Sequence, residues 1–169
     1  LIVENDLGFA RFLLEWHGIA RPRCGTARLE DIIDQLEGLP LSFAELERSI
    51  LPLRVPDYEP GMLDRLGSQG RVVWLGCGAI GDADGRVALY RRERIALHRA
   101  GAPGSAEGEE PSPLAREIAD RLAERGASFF AEIVQACPGA GADALGTALW
   151  ELVWQGLVTN DTFAPLRAS

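Results

Sequence analysis

Hydrophobic positions recur at helical spacing along most of this chain and at alternating spacing in one short part of it. Residues 142–163 (ADALGTALWELVWQGLVTNDTF) carry the densest pattern. Leu145, Leu149, Leu152 and Val153 fall at i, i+4, i+7 and i+8, one face of an amphipathic helix, and Trp150 and Trp154 add a second apolar edge four apart. Gly156 is placed to end that helix, and Leu157-Val158-Thr159 predicts a short strand before an Asn160-Asp161 turn. A helix that stops at a glycine and enters a strand is how the third helix of a winged helix meets its wing. The two helices this unit needs precede it. Ser112-Pro113 opens one carrying Leu114, Ile118 and Leu122 and stopping at Gly126; Ser128 caps another carrying Phe129, Phe130, Ile133 and Val134, which Cys137-Pro138-Gly139 breaks.

The first half repeats the plan. Asp6 to Ile19 predicts a leading helix capped by Asp6, with Phe9, Phe12, Leu13 and Trp16 at helical spacing, His17 packed beside that face, and Pro22 closing the segment. Thr26 caps a helix bearing Leu29, Ile32, Ile33 and Leu36, which Gly38 stops. Ser42-Phe43-Ala44-Glu45 has capping-box spacing and opens a helix that Pro52 and Pro56 end. Pro60 suits the first turn of a third helix, with Gly67 and Gly70 as its terminators. Two β-prone runs, Arg71 to Leu75 and Arg86 to Tyr90, flank a loop containing Gly78, Gly81, Asp82, Asp84 and Gly85 and predict a β-hairpin. The expected fold class is α+β, mainly helical, with tandem winged-helix units and short hairpin wings. The expected division is a leading helix over 1–26, unit one over 27–100, a Gly/Pro/Ser/Glu-rich linker over 101–112 and unit two over 113–169.

Composition narrows the chemistry. The 169 residues carry a formal net charge of −8, which argues against general affinity for phosphate backbones or anionic membranes. The imbalance lies mostly beyond residue 100: residues 1–100 hold 13 Arg against 15 acids, and residues 101–169 hold 4 Arg against 10. All 17 basic residues are arginine, and without lysine no GxxxxGK[ST] phosphate loop exists. Cys24, Cys77 and Cys137 are odd in number and lack metal-ligand spacing, so neither a disulfide framework nor a zinc site is expected. A reduced cytoplasmic compartment suits them, and no apolar run is long enough to cross a membrane. A first residue of Leu1 rather than Met suggests a piece of a larger protein.

The best candidate for touching phosphate is a local basic strip: Arg86, Arg91, Arg92, Arg94 and Arg99, with one acid, Glu93, among them. Its ordinary alternative is a solvated strip paired with nearby carboxylates. Trp74, in the hairpin, is a candidate for stacking on an unpaired base. Asp82-Ala83-Asp84 invites a calcium reading, but Gly85 is out of register with the cation loop and no distal glutamate follows. Neither third helix resembles a major-groove reader. The first offers Arg65 and Gln69 against Asp64; the second offers Thr147, Glu151 and Gln155, with no basic residue. Trp150 and Trp154 accordingly read as packing residues. No catalytic residue and no metal site is expected.

Three runs, RFLLEWHGI, MLDRLGSQGRVVW and ALWELVWQGLVTNDTFAPLR, occur in this order, and over nearly its whole length the chain resembles the large helicase-related (Lhr) family of superfamily 2 helicases. The resemblance implies an accessory winged-helix region beyond the RecA-like motor domains and before a β-barrel. It implies a parent enzyme that uses ATP and Mg2+ to move 3′ to 5′ on single-stranded DNA and to unwind duplexes, RNA–DNA hybrids included. This stretch would then need no cofactor of its own, and its partners would be the motor domains, the barrel and the nucleic acid. The alternative from the residues alone is a freestanding winged-helix regulator of duplex operators, against which the acidic third helices speak. A base-flipping glycosylase would need a pocket acid or base that nothing here gathers.

Overall fold

The structure, a computed structural model, describes residues 2–18, 23–81, 84–98 and 110–168. The leading helix α1 (Ile2–Trp16) begins four residues before Asp6, which is therefore an interior residue and not its cap. Its predicted apolar face is mostly in solvent: Phe9 is 62% exposed, and Phe12 and Trp16 stack on each other at 5.7 Å. What holds α1 is its C-terminus. From α2 (Gly25–Leu36), Arg28 and Gln35 donate to the carbonyls of His17 and Trp16 at 2.9 and 3.0 Å, satisfying acceptors that a helix end leaves open. Ile19 and Pro22 lie outside the described residues.

Helix α2 is not capped by Thr26. The carboxylate of Asp57, 32 positions away, accepts from the Gly25 N–H at 2.9 and 3.0 Å, a long-range cap that local spacing cannot reveal. Its buried stripe is the expected one, Leu29, Ile32, Ile33 and Leu36, and Gly38 turns left-handed at φ 76° to leave it. A two-residue strand β1 (Leu41–Ser42) follows. Ser42 then caps α3 (Phe43–Glu45), its Oγ accepting from the Glu45 N–H at 3.1 Å.

The helix does not end at Pro52. It passes through a π-helical turn (Leu46–Ile50) into α4 (Leu51–Arg54), the Leu51 N–H reaching back to the Leu46 carbonyl. Pro52 has no N–H to give and its ring crowds the turn before it; a widened turn at that point lets the chain stay helical until Val55. Pro60 starts α5 (Pro60–Ser68) as expected. Gly70, at φ 66°, ends it, whereas Gly67 is buried inside the helix as a contact residue.

Strands β2 (Val72–Ile80) and β3 (Asp84–Arg91) form the predicted hairpin, with a bulge between Gly76 and Ala79. β1 joins β3 antiparallel, giving a three-stranded sheet of order β1-β3-β2. Val87 and Leu89 of β3, with Val72 and Trp74 of β2, face α2 through α5 across one core. Asp82 and Ala83 lie outside the described residues. A short helix α6 (Ile95–His98) follows the sheet.

The second unit comprises α7 (Pro113–Arg125), α8 (Phe130–Ala136) and α9 (Ala142–Trp154), with α10 (Ala164–Ala168) after it. Ser112 caps α7 as expected, and Gly126, at φ 83°, closes it. Ser128 does not cap α8; the Glu132 carboxylate accepts from the Phe129 N–H at 2.6 Å instead. Leu145, Ala148 and Leu152 of α9 meet Ala115, Ile118, Ile133 and Cys137 in a second core. Among the described residues of 113–168 there is no strand, so the wing predicted at Leu157-Val158-Thr159 is absent and the second unit carries no hairpin. The mainly helical α+β class and the three-helix-plus-hairpin plan hold for the first unit. Among the described residues no helix is long and apolar enough to cross a membrane.

Candidate nucleic-acid interface

The segment whose spacing predicts a second wing lies on the first unit. Gly156 turns at φ 70°, and the chain from Leu157 onward runs along β2. Thr159 Oγ1 donates to the Trp74 carbonyl, and the Trp74 indole N–H donates to the Thr162 carbonyl at 3.2 Å. Phe163, fully buried, enters the first core between Phe43 and Trp74, with ring centroids 6.0 and 6.1 Å away. Asp64 of α5 accepts from the Phe163 N–H at 2.7 Å. Arg167 of α10 then forks onto the Glu47 carboxylate at 2.7 to 2.9 Å and onto Asp64 at 2.7 Å. These hydrogen bonds hold the Arg167 guanidinium more firmly protonated than usual, against the opposing effect of its burial.

Two glycines of the hairpin make this packing possible. A Cβ on Gly76 would collide with the Val153 carbonyl, and a Cβ on Gly85 would collide with the indole of Trp154. The end of α9 therefore lies directly on the sheet backbone. Trp154 and Trp150, stacked at 5.1 Å, pack against the first core, which fixes them as packing residues. On α5, Gly67 plays the same part for the Asp161 carbonyl. Both elements by which a winged helix reads duplex DNA, hairpin and third helix, have a face covered by residues 153–167.

The four described arginines of the basic strip, Arg86, Arg91, Arg92 and Arg94, do not form one surface. Arg91 donates from Nε and Nη2 to Asp34 at 2.8 and 2.9 Å and also pairs with Glu30 at 3.1 Å. Arg94 pairs with Glu37 at 2.8 Å and with Asp34 at 3.3 Å. Hydrogen bonds from Arg91, more than any other cause, hold the Asp34 carboxyl below the usual carboxylate range, against its own burial. These two arginines are therefore braces between the end of β3 and α2. Arg86 and Arg92 are exposed and have no carboxylate partner among the described residues, but Arg86 lies within β3 and Arg92 just past its end, about 20 Å away along the chain. Arg99 lies outside the described residues. Trp74 is 1% exposed and hydrogen-bonded, so it packs inside the molecule and offers no face to a base.

What the arrangement leaves open is the far side of α5. Arg65, Ser68 and Gln69 share one exposed face of its last turns, and Arg92 runs beside its end, with Cδ 3.7 Å from where a Cβ on Gly70 would sit. Asp64, the acid that tempers this helix in the sequence, is occupied by Arg167 and Phe163. Arg65 and Gln69 are visible in the sequence as polar positions; that Asp64 points elsewhere is not. Among the described residues no group of acids, histidines and cysteines is placed to hold a metal ion.

Residues 5–92 match the family model described as large helicase-related protein, winged-helix domain. The chain belongs to the Lhr family. A Lhr helicase/probable uracil glycosylase of Mycolicibacterium smegmatis is 39% identical to it over 168 residues, covering 98% of this chain and 11% of that protein. A Lhr helicase/uracil glycosylase of Escherichia coli is 38% identical over 180 residues, covering 95% of this chain and 12% of that protein. The chain thus spans about a ninth to an eighth of the length of these Lhr relatives, and the match to them, unlike that to the family model, includes the second helical unit.

Proposed function

We propose that this region is an accessory module of an ATP-dependent 3′–5′ DNA helicase, bracing the motor domains and lining the path of the single strand. ATP and Mg2+ act in the parent's motor, the motor domains and a β-barrel are its intramolecular neighbours, and the parent works on single-stranded DNA or RNA–DNA hybrids in the cytoplasm. The observation that carries this reading is the covering of the hairpin and of one face of α5 by residues 153–167. A freestanding operator-binding regulator needs its third helix and wing free to approach a duplex together. Here one face of each is given to joining two helical units, as suits a rigid brace.

The strand-facing surface in this reading is Arg65, Ser68, Gln69 and Arg92, in place of the full strip from Arg86 to Arg99. Arg65→Ala/Arg92→Ala in the intact helicase should weaken single-strand binding. It should also lower the slope of log affinity against log salt by about 1.4, about 0.7 for each phosphate no longer neutralised. Arg91→Ala should lower stability and leave that slope unchanged. An unaltered slope in the double variant would remove this face from the strand path. Tight binding of the separate 169-residue chain to random duplex at low salt would favour the regulator instead.

A further inference from the structure

Arg28 is the one charged residue in the interior among the described residues, at 6% exposure. Buried charges are ordinarily matched by an opposite charge. Among the described residues Arg28 has none. It spends two of its five N–H groups on carbonyl oxygens, those of Arg54 at 3.2 Å and His17 at 2.9 Å, which close the ends of α4 and α1. Gly18, at φ 71°, leaves room for the guanidinium: a Cβ there would overlap it. Burial first, and then the positive charges of Arg23 and Arg54, make its protonated form less favourable than usual.

Arg28 lines an open cavity of about 420 Å³ together with Arg11, Glu15, Gly18 and Arg23. Among the described residues, Glu15 pairs with Arg11 and Asp31 with Arg23. Three arginines among the described residues line this concavity against Glu15, with Asp31 paired to Arg23 beside it, and the most buried of the three keeps unused donors. We propose that this cavity, between the end of α1 and the start of α2, is an oxyanion site that takes a phosphate group. Arg28 is its fixed floor, and Arg23 and Arg11, on the rim, exchange their pairs with Asp31 and Glu15 for the anion. Guanidinium groups suit a phosphate because their paired donors match two of its oxygens. The site is separate from the α5 face and stands or falls without it.

The test follows the arginine Nε–Hε resonances of the 169-residue chain by NMR while inorganic phosphate is added at constant ionic strength, and in a second arm single-stranded oligothymidylate. A saturable shift of the Arg28 resonance is expected, with affinity reduced about tenfold by Arg23→Ala, a rim change that leaves the Arg28 brace in place. Arg28→Met should abolish saturable binding; where it unfolds the chain, the Arg23→Ala and Arg11→Ala titrations decide. A shift produced by the oligonucleotide at lower phosphate concentration than the free ion identifies the nucleic-acid backbone as the source, and a response to the ion alone identifies a free phosphate. No saturable shift in either arm, or one that sodium chloride reproduces or that both rim variants retain in full, overturns the site.

Discussion

The two helical units of this chain start from nearly the same local instructions and finish differently. In each, a third helix runs to a left-handed glycine, Gly70 in one and Gly156 in the other, and a β-prone run follows. After Gly70 the run finds β3 and β1 and becomes a sheet with its own hydrophobic face. After Gly156 it has three β-prone residues and, among the described residues, no second strand of its own. It lies along the first unit's β2 and sends Phe163 into the first unit's core. A strand needs a partner; a hydrophobic residue needs only a cavity of the right shape. The difference teaches that a winged-helix pattern in sequence describes three helices well and the wing poorly, because the wing's partner can come from elsewhere.

If the first unit depends on the second for part of its core, Phe163→Ala should have the largest effect. It removes a fully buried ring and should cost about 3–5 kcal/mol, read as a lower urea midpoint by tryptophan fluorescence. It should also leave the Trp74 environment altered. A loss under about 1 kcal/mol would mean that the first unit closes without its neighbour and would break the comparison.

Next comes the contact between α9 and the sheet. Gly76→Ala places a methyl group against the Val153 carbonyl and should cost about 1–3 kcal/mol, because the helix end has to lift from β2. Trp154 should report the change by a shifted emission maximum. Unchanged stability and emission would show that α9 is free to leave the hairpin.

The acid response sharpens the comparison from the other side, since the Arg91 network belongs to the first unit alone. The Asp34 carboxyl is held below its ordinary value, chiefly by hydrogen bonds from Arg91. A depressed folded-state value contributes stability that is present above the unfolded pKa of about 3.9 and is lost as pH falls through the lower folded value. Urea midpoints should therefore fall steeply below about pH 4, and Asp34→Asn should flatten that fall. An identical pH profile in the variant would assign the acid sensitivity to other carboxylates.

Gly146 supplies the smallest effect and the opposite sign. It lies within α9, and a Cβ there would meet nothing within 4 Å. Gly146→Ala should stabilise by about 0.5–1 kcal/mol through helix propensity alone, seen as a raised urea midpoint. Destabilisation would show that this side of α9 is covered too. Set beside Gly76→Ala, it separates a glycine required by a neighbour from one that is not.

Much of the candidate surface is hidden in the sequence for reasons of range. The arginine strip is legible as a run of like charge, but Arg91 and Arg94 are committed to Asp34, Glu30 and Glu37 on a helix more than fifty positions earlier. Trp74 looks like an exposed hairpin aromatic because alternation along a strand does not say whether both faces of the sheet are covered. Arg65 and Gln69 are offset in sequence by Asp64, which in space belongs to Arg167. Arg28 reads as one more polar position on an amphipathic helix; its burial against the ends of α1 and α4 has no local signal.

Local chemistry by itself determined the longer helices, the glycine stops at Gly38, Gly70, Gly126 and Gly156, the Ser42 and Ser112 caps and the first hairpin, but not the short helices Ile95–His98 and Ala164–Ala168, because each of the former depends on residues within a few positions of one another. Only the tertiary structure decided that Asp57 caps α2, that the chain stays helical past Pro52, that the second wing is replaced by a strap on the first, and which arginines are spent as braces. Those outcomes turn on which groups meet across tens of residues of chain, and packing and charge pairing settle that once the whole molecule has folded.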